Sequence, residues 1–283
     1  MIERSIHKIN NEIVLAKLIF EPPFEANPET LKNEARIIYV VRGKSVLRTP
    51  ISSFQLSKGD CVIINSGNIV NNWIENEDAE TAEVILFRLF PELIKNIYSD
   101  LSTLTLQKSE RNEHLVSAYK INAHDVIEKF IEGIRFYFDT PELLGDELIS
   151  VKIRELIFLL ERVAEDSILQ FTLKNMFNPI EYKFSEIINA NIFENIQLTE
   201  LAHLSGLSLS SFNRKFKRIY KESPKKYILR KRLERAKALL SLSELRIAEI
   251  GYECGFDDPA NFTKSFSSLF GLSPTDYRKS SMA

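Results

Sequence analysis

The sequence is poor in the residues that build disulfide and catalytic chemistry. Its two cysteines, Cys61 and Cys254, lie far apart among 283 residues. That excludes a disulfide framework and a cysteine-rich zinc site, and it suits the reducing cytoplasm. Of its four histidines, His7, His114, His124 and His203, none falls in the strand-rich stretch between residues 35 and 90. No phosphate-binding glycine loop, nucleophile elbow or HExxH motif occurs. No apolar run approaches the roughly 20 residues of a membrane span. The opening, MIERSIHKIN, lacks the apolar centre of a secretory signal. A cytoplasmic chain that is not an enzyme, with no cofactor, metal site or membrane contact, is expected.

A strong net charge is missing too, but the overall −2 hides an asymmetry. From Phe184 to the end, 16 Lys+Arg face 11 Asp+Glu, a net of +5; the remainder has 21 against 28, or −7. Residues 208–237 alone hold 12 basic and 2 acidic side chains. Such a block serves either a phosphate backbone or a solvated helix face.

The length suits two modest domains. From Ala35 to about Phe90, runs rich in β-branched and aromatic residues (RIIYVVRG, KSVLRT, SFQL, CVIIN, IVNNWIEN, AEVILFRLF) alternate with turns such as SKGD. This is the pattern of a small antiparallel sandwich or barrel. Pro91 opens helical text. Val126, Ile127, Phe130, Ile131, Ile134 and Phe138 recur at helical spacing. So do Leu148, Val151, Ile153, Leu156, Ile157 and Leu160, after a break at Thr140-Pro141. These helices either close the β domain or, over 146–163, form a dimer seam. Residues 170–183, with Asn175, Asn178 and Pro179, read as a junction. The expected fold is α+β. An N-terminal antiparallel β domain (1–110) carries appended helices (111–175), and a linker (176–183) leads to an all-α domain (184–281).

The all-α part contains one unit twice. LTELAHLSGLSLSSFNRKFKRIYKESPKKYI at 198–228 matches IAEIGYECGFDDPANFTKSFSSLFGLSPTDYR at 247–278. Leu198, Leu201, Ala202 and Gly206 correspond to Ile247, Ile250, Gly251 and Gly255. Phe212, Phe216, Tyr220, Ser223, Pro224 and Tyr227 correspond to Phe262, Phe266, Phe270, Ser273, Pro274 and Tyr277. Each copy reads as helix, glycine turn, helix. Gly206 and Gly255 sit where the chain needs a positive φ, and Ser208 and Asp258 take the N-cap of the second helix. Ala202 and Gly251 leave room for a crossing helix. Two helix-turn-helix units result, tied by a helix over PKKYILRKRLERAKALL.

At about 100° per residue, Phe212, Phe216, Ile219 and Tyr220 share one side of the helix 209–220. Ser210, Arg214, Lys217 and Lys221 lie opposite, with Ser211 and Arg218 at the edge. On helix 259–270, Phe262, Phe266 and Phe270 are backed by Ala260, Lys264 and Ser267, with Asn261 and Ser268 flanking. The aromatics anchor each helix so that its polar face can enter a major groove, about 12 Å wide. Lys225, Lys226, Arg230 and Lys231 on the connecting helix could touch phosphates or simply be solvated.

These residues, above all RLERAKALL, IAEIGYECGF and GFDDPANFTKSFSSLFGLSPTDYR, resemble the DNA-binding domain of the AraC/XylS family of bacterial transcription regulators. The N-terminal half resembles the family's cupin-like sensor domain through GKSVLRT and LSKGDCVIINSGN. The resemblance implies a regulator of double-stranded promoter DNA that works with RNA polymerase and dimerises. It implies base contacts through Ser210, Asn213 and Arg214 and through Ala260, Asn261 and Lys264. Ser211 and Lys217 join the base-facing set, and Arg218, Lys221, Lys225, Arg230 and Ser267 the phosphate-facing one. Where many relatives carry arginine, the second unit has Lys264, a point charge in place of a bidentate fork.

A metal-dependent cupin enzyme is disfavoured, because Asn71 and Asn72 stand where cupins tend to offer histidine, and asparagine suits transition metals poorly. Whether the N-terminal domain senses a small molecule or a protein partner is open. Trp73, Tyr39 and Arg36 either line a pocket or pack, and no site is assigned to them.

Overall fold

The computed structural model describes residues 2–25, 27–75, 80–97, 117–122, 124–163, 177 and 180–281. They form two compact units, Met1–Glu181 and Tyr182–Ala283. The junction residues Asn175, Asn178 and Pro179, the expected boundaries at 110 and 175, and His114 lie outside the described residues.

The first unit has eleven described strands: β1 (Glu3–Ile9), β2 (Glu12–Phe20), β3 (Phe24–Glu25), β4 (Glu29–Leu31), β5 (Ala35–Arg42), β6 (Lys44–Arg48), β7 (Ser53–Leu56), β8 (Cys61–Ile64), β9 (Gly67–Ile74), β10 (Ala82–Leu89) and β11 (Ala118–Ile121). They make two antiparallel sheets. One runs β1-β2-β10-β5-β8-β11; the other runs β3-β9-β6-β7, with β4 also paired to β9. Helices α1 (Pro91–Ile97), α2 (Asp125–Asp139) and α3 (Asp146–Val163) complete the unit, with a 3-10 turn at Pro141–Leu143.

The centre of the larger sheet is buried on both faces, so β5, β8 and β10 read as continuous apolar runs instead of alternating ones. Ile38, Val40, Val62, Ile64 and Val84 meet Leu47, Leu56, Ile69 and Trp73 of the second sheet. On the other face, Ile37, Tyr39, Cys61, Ile63, Ile85 and Phe87 meet α1, α2 and α3. The order of layers is sheet, sheet, helices.

This placement settles what the helical stripes do. Ile127, Phe130, Ile131, Ile134 and Phe138 of α2 and Ile153, Leu156, Ile157 and Leu160 of α3 all belong to the core beneath the larger sheet. Most of the stripe from Leu148 to Leu160 therefore closes the β domain. Val151, expected on that stripe, is 58% exposed, as is Phe158 at 53%. A second correction concerns Ala118–Ile121, expected to be helical. These four residues pair with β8 and cover its edge, and so short a run carries no helical period. The hairpin β1–β2 also precedes the stretch expected to hold the strands.

Nor do Trp73, Tyr39 and Arg36 line one pocket. Trp73 packs edge-on against Phe20 at 4.8 Å between the sheets, whereas Tyr39 faces the helices. Arg36 is paired with Glu29 at 2.7 Å and Glu34 at 2.6 Å. Burial pushes the Glu34 carboxyl up, but hydrogen bonds and charge from Arg88 and Arg36 outweigh it and hold the pKa below the ordinary value. Among the described residues, no group of three histidine, cysteine or acidic side chains could hold a metal. No helix there is long and apolar enough to cross a membrane.

The second unit is helical throughout its described length: α4 (Phe184–Asn191), α5 (Leu198–Leu204), α6 (Leu209–Tyr220), α7 (Pro224–Leu242), α8 (Ile247–Glu253), α9 (Pro259–Phe270) and α10 (Pro274–Ser281). With the β-rich first unit, this makes the chain α+β. The sequence repeat is also a structural repeat. After α5, Gly206 N–H donates to His203 O at 2.8 Å and Leu207 N–H to Ala202 O at 3.0 Å. After α8, Gly255 N–H donates to Tyr252 O at 2.9 Å and Phe256 N–H to Gly251 O at 3.0 Å. Both are Schellman ends, and each glycine takes the left-handed conformation they require, with φ of 67° and 83°.

Ring spacings repeat as closely. Phe212–Phe216 and Phe262–Phe266 centroids are 5.7 and 5.8 Å apart. Phe216–Tyr220 and Phe266–Phe270 are 4.5 and 4.6 Å apart. Phe184 of α4 closes the first cluster at 5.4 Å from Phe212. In the second cluster Leu233, Ala236 and Leu240 of α7 take that place. Gly251 lets α9 cross closely, since a Cβ there would lie 3.1 Å from the Phe262 ring.

Candidate nucleic-acid interface

Helices α6 and α9 each start on a side-chain cap. Ser208 Oγ accepts from Ser211 N–H at 3.3 Å. Asp258 accepts from Ala260 N–H at 2.9 Å and from Asn261 N–H at 3.1 Å. The caps satisfy amides left over at a helix start and fix where the first turn points. Behind them, Phe212, Phe216, Phe262 and Phe266 are fully buried. The opposite faces stay open: Ser210, Asn213, Arg214, Lys217, Ala260, Asn261 and Lys264 are exposed, and Ser211 is half-buried.

The charges on these faces are uncompensated. Among the described residues, none of Arg214, Lys217, Arg218, Lys221, Lys225 or Lys264 has a carboxylate partner. Arg230 differs, because its guanidinium is held by Glu222 at 2.5 Å and Glu234 at 2.6 Å. A phosphate would have to displace both carboxylates to reach it. On the second unit Asn261 Oδ1 accepts from Ser265 at 3.3 Å, which leaves its amide NH2 as the outward donor. Ser267, expected to face phosphate, is half-buried.

Two adjoining grooves lie within the helical unit. One of about 480 Å³ includes Gln197, Leu198, Leu209, Asn213 and Lys225 in its lining. The other, of about 450 Å³, shares Gln197, Leu198 and Lys225 and continues to Gly255, Asp257 and Asn261. Asn213 of α6 and Asn261 of α9 therefore line adjoining grooves that have three lining residues in common. Sequence reasoning missed Gln197, Leu198 and Leu209, because none carries charge or breaks the helical pattern. Ile219 is corrected: expected with the buried aromatics, it is 45% exposed.

Lys221 ends α6 in the left-handed conformation with φ 63°, where the second copy has Gly271 at φ 77°. A side chain there costs about 1 kcal/mol. Lys221→Gly is thus expected to stabilise the helical unit by up to about 1 kcal/mol in urea unfolding. The same variant should lower the salt slope of DNA binding by about one unit if Lys221 meets a phosphate.

The comparisons with known proteins cover both units. A helix-turn-helix domain model matches residues 201–280, across both copies of the repeat. The model of the ExsA N-terminal regulatory domain matches residues 35–171. The chain belongs to the AraC family of DNA-binding transcription regulators. It is 21% identical over 262 residues to the HTH-type transcriptional regulator ExsA of Pseudomonas aeruginosa, spanning 91% of this chain and 90% of that one. It is 35% identical over 139 residues to the regulator GbdR of the same species, spanning 48% of this chain but only 37% of GbdR. Among solved structures, an AraC-type DNA-binding domain from Chromobacterium violaceum is 31% identical, with 35% of this chain and 88% of that one covered at a TM-score of 0.32. In this AraC-type chain the helix-turn-helix model spans α6 and α9, the two helices whose polar faces open on the grooves.

Proposed function

We propose that α6 and α9 enter two successive major grooves on one face of promoter DNA. The observation that carries this reading is the pair of adjoining grooves lined by Asn213 and by Asn261, backed by two buried aromatic clusters and edged by cations with no carboxylate partner among the described residues. Ser210, Ser211, Asn213, Arg214 and Lys217 are assigned to base edges by the first unit, and Ala260, Asn261 and Lys264 by the second. Arg218, Lys221, Lys225 and Ser267 are assigned to phosphates. Arg230 joins them only by giving up its two carboxylates.

The test is a duplex selected from a random library by the full chain, then re-synthesised with 5 extra base pairs between its two sub-sites. Half a helical turn, about 5 base pairs, moves one sub-site to the opposite face. Binding should fall to that of a single sub-site. Undiminished binding would refute simultaneous docking.

The N-terminal unit is proposed to control this binding in the cytoplasm, through a small molecule or a protein partner, with RNA polymerase as the downstream contact. A homodimer is proposed as the working form. Because the stripe of α3 is spent on its own core, Val151 and Phe158 on the open face are the residues left to pair copies. Phe158→Asp in the full chain should convert a dimer to a monomer in light scattering. A wild-type monomer at tens of micromolar would reject the dimer.

A further inference from the structure

Arg232 lies on α7, is half-buried and has no ion pair among the described residues. Its guanidinium is spent on three backbone carbonyls. Nε donates to Ile192 O at 2.8 Å, Nη2 to Glu194 O at 2.5 Å and Nη1 to Gly255 O at 2.5 Å. The first two carbonyls belong to the loop between α4 and α5, which leads directly into the first helix-turn-helix unit. The third belongs to the turn between α8 and α9, at the heart of the second. One planar fork thus spans the two units from the helix that connects them, a task that a single-point ammonium cannot copy.

Two neighbouring features repeat this bridging. Gly255 is bare where the segments meet, since a Cβ there would sit 2.5 Å from Phe193 O and 2.9 Å from Arg232 Cζ. One turn along α7, Arg235 lies over the Phe193 ring at 4.3 Å, and its guanidinium is 3.8 Å from Glu253 of the second unit. Each arginine therefore touches the loop leading into the first unit on one side and the second unit on the other.

We infer that Arg232 is a positioning residue that sets the distance between the two recognition helices. It matters to DNA binding because two linked modules gain affinity together only when their separation matches that of their sites. This inference rests on the two-groove reading for its consequence, but its structural content can be measured without DNA.

The experiment places nitroxide labels on the full chain at Arg218→Cys and Ser268→Cys, exposed and equivalent positions in the two copies. A control pair sits within the first unit, at Thr199→Cys and Arg218→Cys. The native Cys61 and Cys254 are buried, and burial pushes their thiols up to about 12 and about 11, so labelling favours the introduced sites. Arg232→Met should roughly double the width of the 218–268 distance distribution and leave the control pair unchanged, and Arg232→Lys should fall between. Gly255→Ala should shift the mean distance, giving a second variant that retains the arginine. In the DNA arm, Arg232→Met should weaken binding to the selected bipartite duplex about tenfold and blunt the penalty for altered spacing. An unchanged 218–268 width in Arg232→Met would overturn the inference. Equal broadening of the control pair would overturn it too, by showing that the side chain only holds the first unit together. Failure of the unmodified chain to bind the bipartite duplex would instead count against the two-groove reading, with the label distances still deciding the role of Arg232.

Discussion

Phe216→Ala is expected to remove about 3–5 kcal/mol from the stability of the helical unit, the range for emptying a buried phenylalanine site. Domains of this size have about 5–15 kcal/mol in total, so the variant should unfold at much lower urea and lose DNA binding with it. The ring is fully buried and meets Phe212, Tyr220 and Tyr227 at 5.7, 4.5 and 5.4 Å. No neighbour can fill the void without breaking that stack. Phe266→Ala should behave alike, since its partners repeat the same geometry. Ile219→Ala, on the same helix but 45% exposed, should change stability by no more than about 0.5 kcal/mol. Similar losses at Phe216 and Ile219 would mean that the aromatic stack does not anchor the recognition helix.

Arg214→Ala is expected to cost about 1–3 kcal/mol of specific binding and to relax preference at one base pair. Its side chain is exposed and has no carboxylate partner among the described residues, so binding DNA need not break an internal pair. A planar fork can also grip a guanine edge in two places. Lys264→Ala should matter less, because a single ammonium selects bases weakly. Binding to the selected duplex and to a scrambled one, measured at several salt concentrations, separates the roles. A base reader changes the ratio of the two affinities, whereas a phosphate contact lowers both and flattens the salt slope. An unchanged ratio for Arg214→Ala would remove that residue from base readout.

Much of the helical unit was legible because its signals are local. The Schellman glycines Gly206 and Gly255, the caps Ser208 and Asp258 and the rings at intervals of four are all set within a few residues of the chain, and they occur twice. Side-chain destinations that depend on distant partners were not legible. The stripe of α3 could close a sheet or a dimer, and only the position of β10 and β5 decides. Ala118–Ile121 is too short to show a period, and its strand character comes from the edge of β8. Ile219 sits at the margin of the aromatic arc, where a small rotation separates core from solvent. Arg232 looked like one more base in a basic block; its three acceptors lie 23 to 40 residues away in sequence.

The first unit shows the same division. Its strands from β5 to β10 could be found from composition, whereas β1 to β4 and β11 fell outside the stretch expected to hold strands; the two buried faces of the larger sheet explain why β5, β8 and β10 lack alternation. The ion network around Glu34, joining Arg36 and Arg88, could not be paired from sequence spacing alone.

The most direct measurement is methylation interference at guanine N7, which lines the major groove, using the full chain on its selected duplex. Two clusters of interfering guanines, about one helical turn or 10 base pairs apart on the same face of the duplex, are the expected result. A single cluster, or two on opposite faces, would contradict joint docking of α6 and α9.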